Sequence, residues 1–521
     1  MVPCPPAKRA SSPVQGSGDN ATAIAYGHIF SFSSGQTLMR TTNPFDDDKL
    51  REECGVFGIW NADVAASFVA LGLHALQHRG QEAAGVTSLD GSGFHTHRAA
   101  GHVAGTFDRD EVIRSLPGRT AIGHVRYSTT GSSALRNVQP LFAELAEGGF
   151  AISHNGNLSN AMQLRRTLNK RGSIFQSTSD TEVIIHLVAT SRHAAQLDKI
   201  VDALSQVEGA YSLLMLTEQG LVACRDPLGF RPLVMGRLGE SIIFASETVA
   251  LDVIGARFER EVAPGEMVIV SDAGIRSFRP FPSVAARPCI FEHVYFSRPD
   301  SVIDGISIYE SRKQIGAELA REAPVEADMV VPVPDSGVPA AIGYSQASGQ
   351  PFELGIIRSH YVGRTFIQPN QEVRHLGVKL KHNANSALIR GKRVVLIDDS
   401  IVRGTTSVKI VQRMRDAGAA EVHLRIASPP TRHSCFYGVD TPERAKLLAA
   451  QMDVAAMNQF INSDSLAFIS IDGLYRALGS GRDPAVPQRC DACFTGDYPT
   501  RLTDLTEKQA ASAALRVVAS R

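Results

Sequence analysis

Two carboxylates at the end of an apolar run are the first residues in this chain with evident chemistry. In Arg393-Val394-Val395-Leu396-Ile397-Asp398-Asp399-Ser400-Ile401-Val402-Arg403-Gly404-Thr405-Thr406, the apolar residues read as a buried parallel strand. Asp398 and Asp399 close its carboxyl end. A Gly/Thr turn then opens a helix whose apolar positions Val408, Val411 and Met414 recur at helical spacing. The two carboxylates can take sugar hydroxyls or a Mg²⁺ shell. The N–H groups from Val402 to Thr406, the hydroxyls of Thr405 and Thr406 and the helix N-terminus can take a phosphate. An Asp-Asp pair alone is a solvated loop or a helix cap; strand, acids and turn in this order suit a sugar phosphorylated at both ends.

A second set of reactive residues lies far upstream. Cys54 begins Cys54-Gly55-Val56-Phe57-Gly58, and alone it reads as a buried apolar cysteine at the start of a strand. Arg126 in Gly123-His124-Val125-Arg126-Tyr127-Ser128-Thr129 puts a guanidinium at a strand end. His154-Asn155-Gly156-Asn157-Leu158 reads as a strand closing in an Asn-Gly turn, with an amide and a backbone N–H able to face one oxygen. Ser177-Thr178-Ser179-Asp180-Thr181-Glu182 reads as a helix cap with acidic first-turn residues. Four further cysteines are Cys289, Cys435 and the pair in Cys490-Asp491-Ala492-Cys493. Four thiolates suit zinc or an iron–sulfur cluster, and spacing does not separate the two.

The elements that must position these residues fall into two patterns. Residues 1–53 are rich in Ser, Gly, Ala and Thr without sustained period, and read as a disordered or removable leader. Met39 as the start would leave only Met39 to Glu53. From 54 to 285, short strands (Gly55–Trp60, Ala121–Tyr127, Phe150–His154, Tyr211–Leu216, Leu221–Cys224, Ser241–Ala245) and helices near Ala66–Gln77 and Thr181–Ala189 predict an α+β domain. From 286 to 480 the order is helix (Ser311–Glu322), strand (Met329–Val333), helix (Pro339–Ala347), strand (Glu353–Ile357), strand (Val394–Ile397), helix, and strand (Glu421–Ala427). That predicts an α/β doubly wound parallel sheet. A loop from Ser359 to Leu388 carries Arg364, Arg374, Lys379 and Lys381, and is long enough to be functional. Residues 481–521 form a polar tail holding two of the cysteines.

Bulk properties exclude other classes. The 521 residues exceed one core. Fifty-three basic and 53 acidic side chains cancel, so no overall field favours nucleic acid or an anionic membrane. No apolar run suits a membrane span or a secretory signal. Seven cysteines in so long a chain suit a reducing cytoplasm better than a disulfide framework.

The segment around Asp398 and Asp399 resembles the phosphoribosyl pyrophosphate (PRPP) signature of the type I phosphoribosyltransferases. The first half resembles the class II glutamine amidotransferases of the N-terminal-nucleophile hydrolases, whose fold is an αββα sandwich. That resemblance implies that Cys54 becomes the first residue once the leader is removed. Its α-amine, with a reference pKa of about 7.7–8.0, would then serve as base. Asn155 and the Gly156 N–H would form the oxyanion hole, Arg126 would grip the glutamine α-carboxylate and Asp180 the α-ammonium, and Arg79 would order the loop beside the nucleophile.

The stretch from Cys54 to about Thr500, with Phe296–Ser301, Val333–Ser336 and Tyr361–Ile367, resembles the glutamine PRPP amidotransferase family. This implies transfer of ammonia from glutamine to PRPP, with Ser400, Arg403, Gly404, Thr405 and Thr406 around PRPP. It also implies that Ser336 joins Asp398 and Asp399 around Mg²⁺, and that the 359–388 loop closes over PRPP. Cys289, Cys435, Cys490 and Cys493 match the subgroup with a [4Fe–4S] cluster and a cleaved leader. Feedback by purine nucleotides and a homotetramer follow from the same resemblance. A glutamine-dependent aminosugar synthase would need a sugar-isomerase module instead. A non-catalytic PRPP-sensing regulator would have no use for the glutaminase residues.

Overall fold

A computed structural model describes residues 51–52, 54–127, 135–358 and 382–505. The leader apart from Arg51–Glu52, Ser128 and Thr129, the loop residues 359–381 with their basic cluster, and the end of the tail lie outside the described residues.

Alternation along the first strand sets up the first half. In Gly55–Trp60, Val56 joins the apolar layer between two sheets, while Phe57 and Ile59 pack with the helix Ala65–Ala75. This is the period of two that strands impose. Gly72 of that helix lies directly over the Phe57 ring, where a Cβ would come within 2.2 Å. The strand is central in a seven-stranded antiparallel sheet ordered Arg257–Glu261, Val234–Leu238, Ser241–Ala245, Gly55–Trp60, Thr120–Arg126, Ala83–Asp90, Gly93–Ala100.

A six-stranded antiparallel sheet faces it, ordered Gly274–Phe278, Met267–Ser271, Gly220–Arg225, Gly209–Thr217, Gly148–Leu158, Leu141–Leu145. Ile122, Leu214, Leu216, Phe244 and Val268 fill the space between. The helices Glu182–Thr190 and Gln196–Leu204 cover the outer face of the second sheet through Val183, Leu187, Ile200 and Leu204. The result is four layers, α/β/β/α.

The second half is a four-stranded parallel sheet, ordered Met329–Pro332, Arg393–Asp398, Glu421–Ile426, Ser465–Phe468. Met329–Pro332 and the Val394–Ile397 stretch are apolar on both faces because both are covered, whereas Glu421–Ile426 puts Val422, Leu424 and Ile426 on one face and His423 and Arg425 on the other. The helices Ile308–Glu322 and Val338–Ser348 pack against Val330, Val395 and Ile397. The helices Thr405–Asp416 and Val454–Ile461 pack against Val394, Leu396 and Leu424.

Two expectations change. The segment expected as a strand at Glu353–Ile357 forms Ile356–Arg358 and pairs antiparallel with His382–Ala384, outside the parallel sheet; the fourth parallel strand is Ser465–Phe468. Asn155 and Gly156 do not end a strand in a turn. The strand runs on to Leu158, with Asn155 paired to Ser212 and Gly156 to Tyr211. In the tail, the backbone of Cys490 forms a parallel β-bridge with that of Cys289, and Phe494 packs 5.8 Å from Phe291, centroid to centroid. At the other end, Arg51–Glu52 pairs with Val439–Asp440.

Candidate active site

Cys54 stands at the head of the central strand, buried, with φ of 73°. That left-handed backbone is uncommon for a residue with a side chain and marks local strain. Its Sγ lies 3.9 Å from the Tyr127 carbonyl oxygen. Gly55 pairs with Val125, so Arg126 ends the neighbouring strand on the same side of the sheet edge. Ser246 then ties the two sheets together. Its Oγ accepts from the Val56 N–H at 3.0 Å and from Asn155 Nδ2 at 3.2 Å, which holds the Asn155 amide against the strand that Cys54 begins.

Asp180 follows this scaffold. Its Oδ2 accepts from the Leu158 N–H at 2.9 Å and its Oδ1 from the Thr181 N–H at 2.9 Å. The cap reading needs adjustment, because the helix begins at Glu182 and Thr181 makes no side-chain cap bond. Glu182 is the organiser: it accepts from the N–H groups of Gln176 and Ser177 and from Ser177 Oγ. Burial pushes its pKa up, but these bonds and His186 outweigh that and bring it down to about 2.

Arg79 is fully buried. Its Nε meets Glu247 at 2.5 Å and its NH2 meets Glu292 at 2.8 Å. Its aliphatic stem packs behind Gly55, whose Cβ would stand 3.3 Å from Arg79 Cδ. The guanidinium is thus engaged by two carboxylates, which gives Arg79 a supporting place behind the nucleophile's strand. Sequence reasoning missed those carboxylates. Glu292 also takes Arg231 at 2.8 Å, and Glu247 takes the Arg298 N–H at 2.9 Å and Ser301 Oγ at 2.6 Å. Burial raises the Glu247 pKa, and the Arg79 guanidinium with the hydrogen bonds to His78 and Ser301 outweighs it, holding the carboxyl ionised.

The second group forms at the carboxyl end of Arg393–Asp398. Asp398 and Asp399 are buried; the Asp399 N–H donates to Asp398 Oδ1 at 3.0 Å, Ser400 Oγ donates to Asp399 Oδ1 at 2.6 Å, and Ser336 Oγ donates to Asp399 Oδ2. Ser336, Asp398, Asp399 and Ser400 are therefore brought together. Gly404 turns the chain with φ of 77°, and a Cβ there would stand 2.6 Å from Leu448 Cδ2. Thr405 opens the helix with its Oγ1 buried and without a hydrogen-bond partner. Thr406 is half-buried and Arg403 is exposed. An orphaned hydroxyl at a helix N-terminus is the kind of group an anion would satisfy. Arg312, also missed from sequence, lies beneath; it donates to the carbonyls of Ser297 at 2.7 Å and His293 at 3.0 Å. Burial lowers its pKa to about 10, against the pull of nearby Asp399 and Glu247.

The third group is a cavity lined by Cys289, Cys435, Cys490 and Cys493 with Phe230, Phe291 and Tyr437. The Tyr437 N–H donates to Cys435 Sγ at 3.3 Å. Burial pushes the Cys289 thiol up to about 12, with Arg231 opposing, and pushes Cys490 and Cys493 up as well. Four thiols around one apolar cavity are a soft donor set suited to iron or zinc. Among the described residues no three His, Cys, Asp or Glu side chains converge closely enough for one ion. Cys224 lies elsewhere, buried in the six-stranded sheet.

Comparisons with known proteins match this layout. The glutamine amidotransferase domain model matches residues 124–253, and the phosphoribosyl transferase domain model matches 307–432. The fold and its two sites thus define a glutamine amidotransferase joined to a phosphoribosyltransferase. The amidophosphoribosyltransferase of Rhizobium etli is 59% identical over 471 residues, covering 89% of this chain and 95% of that one. That of Bacillus subtilis is 49% identical over 454 residues, covering 87% and 95%. A solved structure of the B. subtilis glutamine PRPP amidotransferase complexed with ADP and GMP superposes with a TM-score of 0.82 at 48% identity, over 86% of this chain and 98% of that one. The chain belongs to the amidophosphoribosyltransferase family. It is an enzyme that uses glutamine to aminate PRPP in purine biosynthesis, giving 5-phosphoribosylamine, glutamate and pyrophosphate.

Proposed function

We propose that the enzyme matures by removal of residues 1–53 and that Cys54 then works as an N-terminal nucleophile. The observation that carries this is the place of Cys54 at the head of the central strand, in a left-handed backbone that a free N-terminus would relax. Its thiol attacks the glutamine amide carbon. Its α-amine takes the thiol proton and passes it to the leaving ammonia. Asn155 Nδ2 and the Gly156 N–H hold the oxyanion, Arg126 takes the α-carboxylate and Asp180 the α-ammonium. Arg79 supports the nucleophile's strand through Glu247 and Glu292. Water then releases glutamate from Cys54.

In the second half, Asp398 and Asp399 hold the ribose of PRPP, and Ser400, Arg403, Gly404, Thr405 and Thr406 hold its 5′-phosphate. Ser336 with Asp398 and Asp399 would hold Mg²⁺, which when bound neutralises charge on the departing pyrophosphate. Ammonia from the first site adds at C1 as pyrophosphate leaves.

Cys289, Cys435, Cys490 and Cys493 would hold a [4Fe–4S] cluster, whose part is structural. A cubane gives each thiolate its own iron, so its ligands stand farther apart than the four around one zinc. Four thiols lining one apolar cavity are the donor set that supports this reading. Feedback by purine nucleotides is supported by the relative complexed with ADP and GMP. Assembly as a homotetramer rests on the family resemblance. The sparse use of cysteine in so long a chain suits a reducing cytoplasm, the compartment this reading assigns to the enzyme.

One preparation tests the core of this reading. Protein purified without air should begin at Cys54, be brown and contain iron and sulfide in near-equal amounts. Cys54→Ala should abolish the glutamine-dependent reaction while sparing the ammonia-dependent one. Full glutamine-dependent activity in protein proven to begin at Met1 would overturn the N-terminal nucleophile, and one tightly bound zinc per colourless chain would overturn the cluster.

A further inference from the structure

The loop that carries Cys435 reaches back into the first half of the chain. Asn157 Nδ2 donates to the Phe436 carbonyl oxygen at 3.0 Å, and Arg231 Nε donates to the Tyr437 carbonyl oxygen at 2.9 Å. The Tyr437 ring is buried and stacks on Phe230, with centroids 4.2 Å apart and planes 17° apart. The loop is therefore held rigidly where it meets the strand. Gly438 comes next, and it lies against Gly156. A methyl group on Gly438 would stand 3.1 Å from Gly156 Cα and 3.3 Å from its carbonyl carbon. The strand side is closer still: a Cβ on Gly156 itself would stand 2.1 Å from the Ala210 carbonyl oxygen. With φ of 147°, Gly156 holds a backbone that only glycine adopts readily. Its peptide is gripped between the strand Gly209–Thr217 on one side and the loop Phe436–Gly438 on the other.

We propose that Phe436–Gly438 is a positioning element for glutamine hydrolysis, acting through the Gly156 N–H, with Asn157 and Gly438 as its positioning residues. This rests on the assignment of Asn155 and Gly156 as oxyanion donors. The physical reason is that such a donor acts through placement. Its value is realised only where the tetrahedral oxygen forms, and a shift of a few tenths of an ångström weakens it while leaving the substrate's charged ends bound. One wall of the Gly156 site belongs to the segment around Phe436, some 280 residues away in sequence and outside the first half.

The test compares Asn157→Ala and Gly438→Ala in the mature holoenzyme, with Asn155→Ala as reference. Four quantities are read: kcat and KM for glutamine, the ammonia-dependent rate, the affinity for glutamate, and the affinity for glutamate γ-semialdehyde. The semialdehyde forms a carbon–sulfur bond to Cys54 and places its oxygen in the oxyanion site; glutamate forms no such bond. Losing one oxyanion donor costs about 10²–10³ in rate, so misplacing one should lower kcat for glutamine by roughly 10- to 100-fold. Semialdehyde affinity should fall by a comparable factor. KM, glutamate affinity and the ammonia-dependent rate should stay within about threefold. If Asn155→Ala leaves semialdehyde affinity intact, the oxyanion assignment fails and the inference with it. If Asn155→Ala weakens the semialdehyde while Asn157→Ala does not, the inference alone is overturned. Equal losses in glutamate and semialdehyde affinity for Asn157→Ala would likewise overturn it. Should Gly438→Ala fail to fold, Asn157→Ala decides the matter unaided.

Discussion

Asp399 shows how one carboxylate can be oriented before any substrate arrives. It accepts Ser336 on one oxygen and Ser400 on the other, both hydroxyls orienting it from opposite sides. Asp399→Asn would turn one of those oxygens into a donor facing a hydroxyl. Hydrogen bonds to charged groups contribute about 1.5–3 kcal/mol, so kcat/KM for PRPP should fall roughly 10- to 100-fold. The loss should be the same with glutamine or ammonia as nitrogen donor, because both routes share that site. Glutaminase turnover without PRPP should survive; its equal loss in a folded variant would contradict the assignment. The acidic pair was legible in sequence because its chemistry is local to a few residues. The partners of Arg79 were not, since Glu247 and Glu292 lie far downstream and neither belongs to a recognisable pattern.

At the level of elements, the helix Glu182–Thr190 is anchored by the carboxylate at its first position, not by a capping hydroxyl. Glu182 has a pKa brought down to about 2 in the folded chain against 4.5 in the reference state. A depressed carboxylate stabilises the fold above its unfolded pKa and loses that contribution as pH falls. The window therefore opens near pH 4.5 and closes near pH 2, with an amplitude on the order of 2–3 kcal/mol. Glu182→Gln should flatten stability across that window and lower it at neutral pH, as acid titration followed by circular dichroism would show. An unchanged acid profile would mean that the carboxylate is not held ionised.

Periodicity made the longer elements legible, including the strand Ser241–Ala245 at its observed bounds. It failed where an element is short or where glycine bends a rule. Ser465–Phe468 has four residues and no alternation to read. Asn155-Gly156 reads as a turn because a positive φ is usual there, yet the same φ is accommodated inside a continuous ladder.

Across the molecule, the two halves are joined by buried charge. Arg79 from the first half and Glu292 from the segment that opens the second meet at 2.8 Å, and Arg231 closes on the same carboxylate. Removing one member of such a network leaves a buried charge uncompensated, at a cost of about 3–5 kcal/mol. Calorimetry of the intact enzyme should give one unfolding transition, and Glu292→Ala should move it down by several degrees without splitting it. Two resolved transitions in the unaltered protein would show that the halves unfold independently.

That shared carboxylate also bears on transplantation. A glutaminase half grafted here from another transferase would bring its own cysteine and oxyanion strand. Unless it also brought arginines at the places of Arg79 and Arg231, Glu292 would lose both of these guanidinium partners and keep the Ser297 hydroxyl. The seam is keyed by charge, and a successful chimera must carry the key.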